Sequence, residues 1–148
     1  MPADSKKEWG RPEEYPYMSV CSTSSHDTST LREWWEEDPE ASQRFWNGAL
    51  ARPGAAPSEC TTEVAWMVLD QHLWSASMWA IFPIQDLLAV DETLRAADAS
   101  SERINVPAIA QHYWRWRLHL PLEKLLAADS FNATLRKKFE ACGRLNQV

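Results

Sequence analysis

Two polar pairs in this 148-residue chain carry side chains suited to hydroxyl recognition and charge stabilisation, His26-Asp27 and Gln85-Asp86. A carboxylate beside an imidazole or a carboxamide can accept hydrogen bonds from vicinal hydroxyls and steady a developing positive charge. A purely local reading of the first pair competes with this: Ser24, Ser25 and Asp27 form an Asx or Ser turn that leads into the next helix. His112 and His119 stand seven positions apart without carboxylate or thiolate companions at ligand spacing, so no metal site is expected. Between them, Trp114-Arg115-Trp116-Arg117 alternates ring and guanidinium, which suits sugar stacking, anion binding or a packed corner. The acidic run Glu33, Glu36, Glu37, Asp38 and Glu40 reads as a solvated helix face.

Both polar pairs come after strand candidates. The first spans 17–21, and the second is the unbroken apolar run from Met78 to Phe82, stopped by Pro83. A run without alternation predicts a parallel strand covered on both faces. Between the strands, Thr30 and Glu33 match a capping box, with Leu31, Trp34 and Trp35 on one stripe. Asp38-Pro39 reads as the N-cap and first residue of a second helix reaching Gly48. A third helix is predicted over 62–74, with Ala65, Val68, Leu69 and Leu73 inward and His72 beside them. After the second strand come a long loop over 91–102 and two further helices, around Leu122 to Leu126 and from Phe131 to Phe139, with Gly143 at the C′ position. Residues 1–16 read as an extended opening segment. The order is two successive βα units, which place both polar pairs at the same carboxyl rim. Two parallel strands cannot close or cover a sheet alone, so further strands are expected.

Composition narrows the partners. With 15 Lys and Arg against 21 Asp and Glu, the net charge is −6, a poor match for nucleic acid. The stretch from His72 to Gln85 is free of charged side chains but is shorter than the roughly 20 residues a bilayer span requires, so no membrane is expected. The opening residues lack the apolar segment of a secretory signal, and Cys21, Cys60 and Cys142 lack CxxC spacing. These features point to reduced thiols in a cytosolic protein. Nine Trp supply either a large-residue core or sugar-stacking platforms. A stand-alone, non-catalytic carbohydrate-binding or interaction module is therefore a second reading.

Four ordered blocks carry a resemblance: Tyr17 to Cys21 leading into Ser25 to Asp38; Pro83-Ile84-Gln85-Asp86-Leu87-Leu88; Arg103-Ile104-Asn105-Val106-Pro107; and Tyr113-Trp114-Arg115-Trp116-Arg117. Together they resemble the amylomaltase-type 4-α-glucanotransferases, including the cytosolic disproportionating enzymes of plants and algae. The resemblance implies a retaining (β/α)8 barrel enzyme of glycoside hydrolase family 77. Its expected reaction moves glucosyl or maltooligosyl units among maltose, α-1,4-glucans and soluble heteroglycan, without cofactor or metal.

By the same resemblance, residues 17–148 are the C-terminal part of the catalytic domain, with strands seven and eight and their helices. Asp27 is the third catalytic carboxylate, His26 its hydroxyl-binding neighbour, Asn105 an acceptor-side residue, and Gln85 and Asp86 substrate-binding residues of the rim or supports just behind it. Retaining chemistry uses two carboxyl groups about 5–5.5 Å apart. The family's nucleophile and acid/base come from its fourth and fifth strands, so this chain by itself is expected to be inactive. Ala108 departs from the Gly that many members carry after the Arg-x-Asn-x-Pro block.

Overall fold

The computed structural model describes residues 8–111 and 114–145. Its elements arise from local signals. A 3-10 turn at Pro12–Glu14 interrupts the opening segment, which is therefore not extended throughout; Pro12 stands where a missing N–H costs nothing. Strand β1 is Val20–Ser22. Helix α1 (Leu31–Glu37) starts where Thr30 Oγ1 accepts from Glu33 N. Helix α2 (Pro39–Gly48) is capped by Asp38, whose carboxylate accepts from Glu40 N and Ala41 N. Both caps satisfy orphan first-turn donors, as the sequence signature requires.

Helix α3 (Thr62–Leu73) turns Val64, Ala65, Val68, Leu69 and Leu73 inward. Strand β2 is Trp79–Ile81, and Pro83 opens the short helix α4 (Ile84–Leu88) with no intervening loop. A 3-10 turn at Ala99–Glu102 comes next, so the segment read as one long loop is partly ordered. Helices α5 (Leu122–Leu126) and α6 (Asp129–Ala141) close the chain, and Gly143 takes a φ of 71° just past α6.

β1 and β2 pair in parallel, with Val20 opposite Trp79 and Ser22 opposite Ile81. The core lies on one side of this pair. Leu31 and Trp35 from α1, Val64, Val68 and Leu69 from α3, Leu88 to Val90 and Leu94, and Phe131 from α6 form one buried cluster. Cys21 faces that side, with its thiol 3.1 Å from Ser75 Oγ. The opposite face is open: Trp79 is 61% and Ile81 56% exposed, and Val20 lies beside them. The unbroken apolar run predicts cover on both faces, yet with two strands alone exposed flanks are expected, and among the described residues the buried cluster lies on the Cys21 side only. Among the described residues no helix is long and apolar enough to cross a membrane.

Candidate functional site

The loop leaving β1 builds the site. Thr28 N donates to Ser25 O at 3.2 Å and Ser25 N to Thr28 Oγ1 at 2.9 Å, a tight hydroxyl-braced turn. Asp27 N adds a bond to Ser25 Oγ at 3.3 Å. The side chains of Ser25 and Thr28 brace this turn, so the Asp27 carboxylate is not used in it and projects from the tip, 52% exposed. The local and functional readings of the pair therefore describe different atoms of the same loop.

Both carboxylate oxygens of Asp27 have a protein neighbour. Asn105 Nδ2 donates to Oδ1 at 2.7 Å, across 78 residues of sequence, and His26 Nε2 lies 3.2 Å from Oδ2. The Trp114 indole, largely exposed, stands 5.1 Å from the His26 ring at 48°. The tip thus presents a carboxylate with unused lone pairs, an imidazole, a carboxamide and an apolar ring. This set can accept and donate hydrogen bonds to hydroxyls while a flat apolar face covers one side.

Gln85 and Asp86 are elsewhere. Asp86 is 1% exposed, and its carboxylate accepts from Leu31 N at 2.8 Å, Thr23 Oγ1 at 2.5 Å and Ser24 Oγ at 2.6 Å. Gln85, also buried, donates from Nε2 to Glu102 O at 3.1 Å. The expectation that these two bind substrate at the rim is corrected: of the two places expected for them, they take the supporting one and brace the loop from below. The cause is Pro83, which starts α4 at the strand end and turns the next residues under the β1 loop. There an unpaired helix N–H and two hydroxyls need an acceptor.

Sequence reasoning missed the charges that tie this rim together. Arg32 Nη1 meets Glu102 Oε1 at 2.6 Å with both side chains buried, and also donates to Ala96 O at 2.7 Å. Burial pushes the Glu102 carboxyl above its usual range, opposed by Arg32 and by hydrogen bonds from Arg32 and Thr30. One residue along, Arg103 Nη1 donates to Ser29 Oγ at 3.0 Å and reaches Glu33 Oε1 at 3.5 Å, while Nε donates to Asn105 O at 3.1 Å. Burial likewise raises Glu33, with Arg103 opposing. Glu36 accepts from Cys60 N at 3.2 Å. The acidic run is thus only partly a solvated face. The available signal was the reversed charge order of Arg32-Glu33 and Glu102-Arg103, which lets two adjacent ion pairs form side by side.

Other candidates from the sequence lie away from the tip or outside the described residues. His112 and Tyr113 are in the second group. His119 Nε2 is 2.9 Å from Leu94 O. Trp9, Trp34, Trp35 and Trp46 pack edge to face with Phe45 or with one another, so these four of the nine indoles serve the core. Cys21, Cys60 and Cys142 are free thiols, and burial pushes Cys60 up to about 12. No group of three or more His, Cys, Asp or Glu among the described residues could hold a metal ion.

Comparison with known proteins gives a consistent result. A family model described as 4-alpha-glucanotransferase, glycoside hydrolase 77, matches residues 1–123. A rice 4-alpha-glucanotransferase DPE2 (Oryza sativa subsp. japonica) is 44% identical over 144 residues, covering 97% of this chain and 15% of that protein. A 4-alpha-glucanotransferase from Thermus thermophilus is 31% identical over 136 residues, 90% of this chain and 25% of its own length. Among solved structures, the amylomaltase from Streptococcus agalactiae in complex with acarbose superposes with a TM-score of 0.65 at 21% identity. That superposition covers 91% of this chain and 24% of the amylomaltase chain. The chain therefore spans a quarter or less of these relatives.

Proposed function

The chain belongs to the 4-alpha-glucanotransferase family, and from that premise we propose that residues 17–148 are the C-terminal part of a (β/α)8 catalytic domain, its last two βα units, led in by 1–16. The open sheet face supports this reading. Covering the half-exposed Val20, Trp79 and Ile81 with the other strands of a barrel would contribute roughly 1–1.5 kcal/mol for each side chain, a gain the strand pair forgoes by itself. The carboxyl ends of β1 and β2 then face the rim where barrel enzymes do their chemistry.

The proposed reaction is retaining transfer of glucosyl or maltooligosyl units from maltose or α-1,4-glucans to a glucan acceptor, soluble heteroglycan included, in the cytosol. Three free thiols suit a reducing compartment. Asp27 accepts hydrogen bonds from the hydroxyls of the reacting glucosyl ring. Its charge opposes the positive charge that grows at the anomeric carbon as the glycosidic bond breaks. His26 holds a further hydroxyl, and Asn105 fixes the carboxylate orientation at the acceptor side. The nucleophile and acid/base belong to other strands of the domain. Gln85 and Asp86 support the loop and do not touch sugar.

The observation that carries this reading is the exposed Asp27 carboxylate at the β1 tip, gripped by Asn105 and His26 beside an open indole. The test is Asp27→Asn in a full-length transferase carrying these residues, with glucose release from maltose monitored in the presence of glycogen. Loss of most turnover in a normally folded enzyme is expected; near-normal turnover would reduce the pair to a turn. The 148-residue chain mixed with the same substrates should release no glucose. Robust release would overturn the assignment of nucleophile and acid/base to other strands. Glucan binding by the 148-residue chain together with unchanged turnover in Asp27→Asn would favour a non-catalytic binding module.

A further inference from the structure

The rim contains a chain of contacts that ends on the Asp27 carboxylate and begins on a helix. Glu33, on the first turn of α1, faces Arg103 at 3.5 Å. Arg103 donates through Nε to the backbone carbonyl of Asn105 at 3.1 Å, and Asn105 donates through Nδ2 to Asp27 Oδ1 at 2.7 Å. A second branch runs from Arg103 Nη1 to Ser29 Oγ at 3.0 Å, in the same loop as Asp27. One guanidinium therefore touches both loops of the site.

We infer that Arg103, anchored by Glu33, is a positioning residue that sets the Asn105 carboxamide against Asp27 and so fixes the carboxylate for sugar binding and charge stabilisation; this rests on the reading of Asp27 given above. The chemistry of the side chain explains why it must be Arg. The guanidinium offers donors in a rigid plane, so Nε can hold one loop while Nη1 holds the other. A lysine ammonium keeps the charge toward Glu33 but is a single point on a flexible stem, and it cannot span both loops in fixed geometry. Segment 103–107 contains no helix or strand and includes Pro107, so its shape depends on such side-chain ties. The neighbouring Arg32–Glu102 pair, buried and 2.6 Å long, fixes the base from which Arg103 projects. Arg103 remains within reach of a second carboxylate, Glu37, at 3.9 Å, which holds the charge on the α1 side of the site.

The test is a double-mutant cycle in a full-length transferase carrying these residues, with kcat and KM measured for maltose as donor and glycogen as acceptor. Arg103→Lys is expected to lower kcat about tenfold while KM changes less than about twofold, because a displaced carboxylate loses most where charge develops. In the Asn105→Ala background the same substitution should cost less than about twofold, since the link it acts through is already gone. Glu33→Gln supplies a second route with Arg103 intact: a loss of roughly threefold that also vanishes in the Asn105→Ala background.

Wild-type kcat in Arg103→Lys, or full additivity with Asn105→Ala, would overturn the inference, because a merely structural loss subtracts equally in both backgrounds. Asp27→Asn is measured alongside. If it retains full kcat while the cycle remains coupled, the function assigned to Asp27 fails and the link from Arg103 to Asn105 stands. If it loses activity and the cycle is additive, only the positioning role fails.

Discussion

Asp27 and Asp86 begin from equivalent places, each just beyond the carboxyl end of a parallel strand. Asp27 ends up half exposed with a carboxamide and an imidazole for neighbours. Asp86 is buried and accepts from a backbone N–H and two hydroxyls. The difference comes from the length of chain between each strand and its next helix. After Ser22 the chain takes eight residues, Thr23 to Thr30, to reach α1, enough for a braced turn with a projecting tip. After Ile81 only Phe82 and Pro83 precede α4, so the acid is carried inward within the first helical turn. Position just beyond a parallel strand thus does not decide which acid reaches the surface. Loop length and the next helix start decide that, and the buried acid then becomes the support of the exposed one.

The sharpest way to break this comparison is to make the same type of change at both. Asp27→Asn in a full-length transferase should lower kcat by roughly 10²–10³-fold, the scale seen when one electrostatic contact to the transition state is removed, with no measurable change in unfolding midpoint. Asp86→Ala should do the reverse in kind. It leaves the buried Leu31 N–H and two half-buried hydroxyls without their acceptor and should destabilise by about 2–3 kcal/mol in urea unfolding, with lost activity tracking lost fold. If Asp86→Ala unfolds normally, or Asp27→Asn melts the loop, the division between working and supporting acid is wrong.

Next in size is the buried pair behind them. Glu102→Gln removes the partner of Arg32, whose side chain is buried and whose Nε already lacks a hydrogen-bond partner among the described residues. A loss of roughly 2–3 kcal/mol is expected in urea unfolding, since an uncompensated buried charge costs more than the pair contributes. Replacing both residues by apolar side chains of similar volume should recover much of it. Recovery would sharpen the comparison by showing that Arg32 and Glu102 hold the rim in shape and supply no charge to it.

Legibility in the sequence divides along the same line. The caps at Thr30 and at Asp38-Pro39, the inward stripe of α3 and the left-handed Gly143 are local, and each is written within a few residues. The parallel order of the two strands was legible from the apolar run and the connecting helices. The placement of His26 and Asp27 at the tip was legible too, though whether the loop was a turn or a site could not be separated until the structure assigned the turn to Ser25 and Thr28. Asn105 could be brought in only by resemblance, because its partner lies 78 residues away. The burial of Asp86 depended on α4, a five-residue helix too short to show a period. The expectation that 78–82 is covered on both faces rested on composition of the strand, whereas cover comes from neighbours, and Trp79 and Ile81 have them on one side only.

The smallest expected effect concerns a half-buried group beside the same loop, His72. His72 Nδ1 donates to Val68 O at 2.8 Å, and the ring packs 6.4 Å from Phe82. Burial lowers its pKa below the ordinary 6.5, opposed by backbone hydrogen bonds to Val68 and Ser22 and by the charge of Asp86. A lowered folded value means the unfolded chain binds the proton more readily. The neutral ring's contribution is therefore complete above pH 6.5 and is lost as pH falls through the lowered folded value. Glu33 and Glu102 act in the opposite sense: their raised values mean that their contribution is complete below the carboxylate range and is lost as pH rises through them. The His72 share must therefore be read by difference. Unfolding free energy measured from about pH 7 down to about pH 5 should fall more steeply in the wild type than in His72→Gln, by about 1 kcal/mol over that interval. Parallel curves would mean that the ring is solvated, and that the support beneath the β1 loop is confined to Asp86.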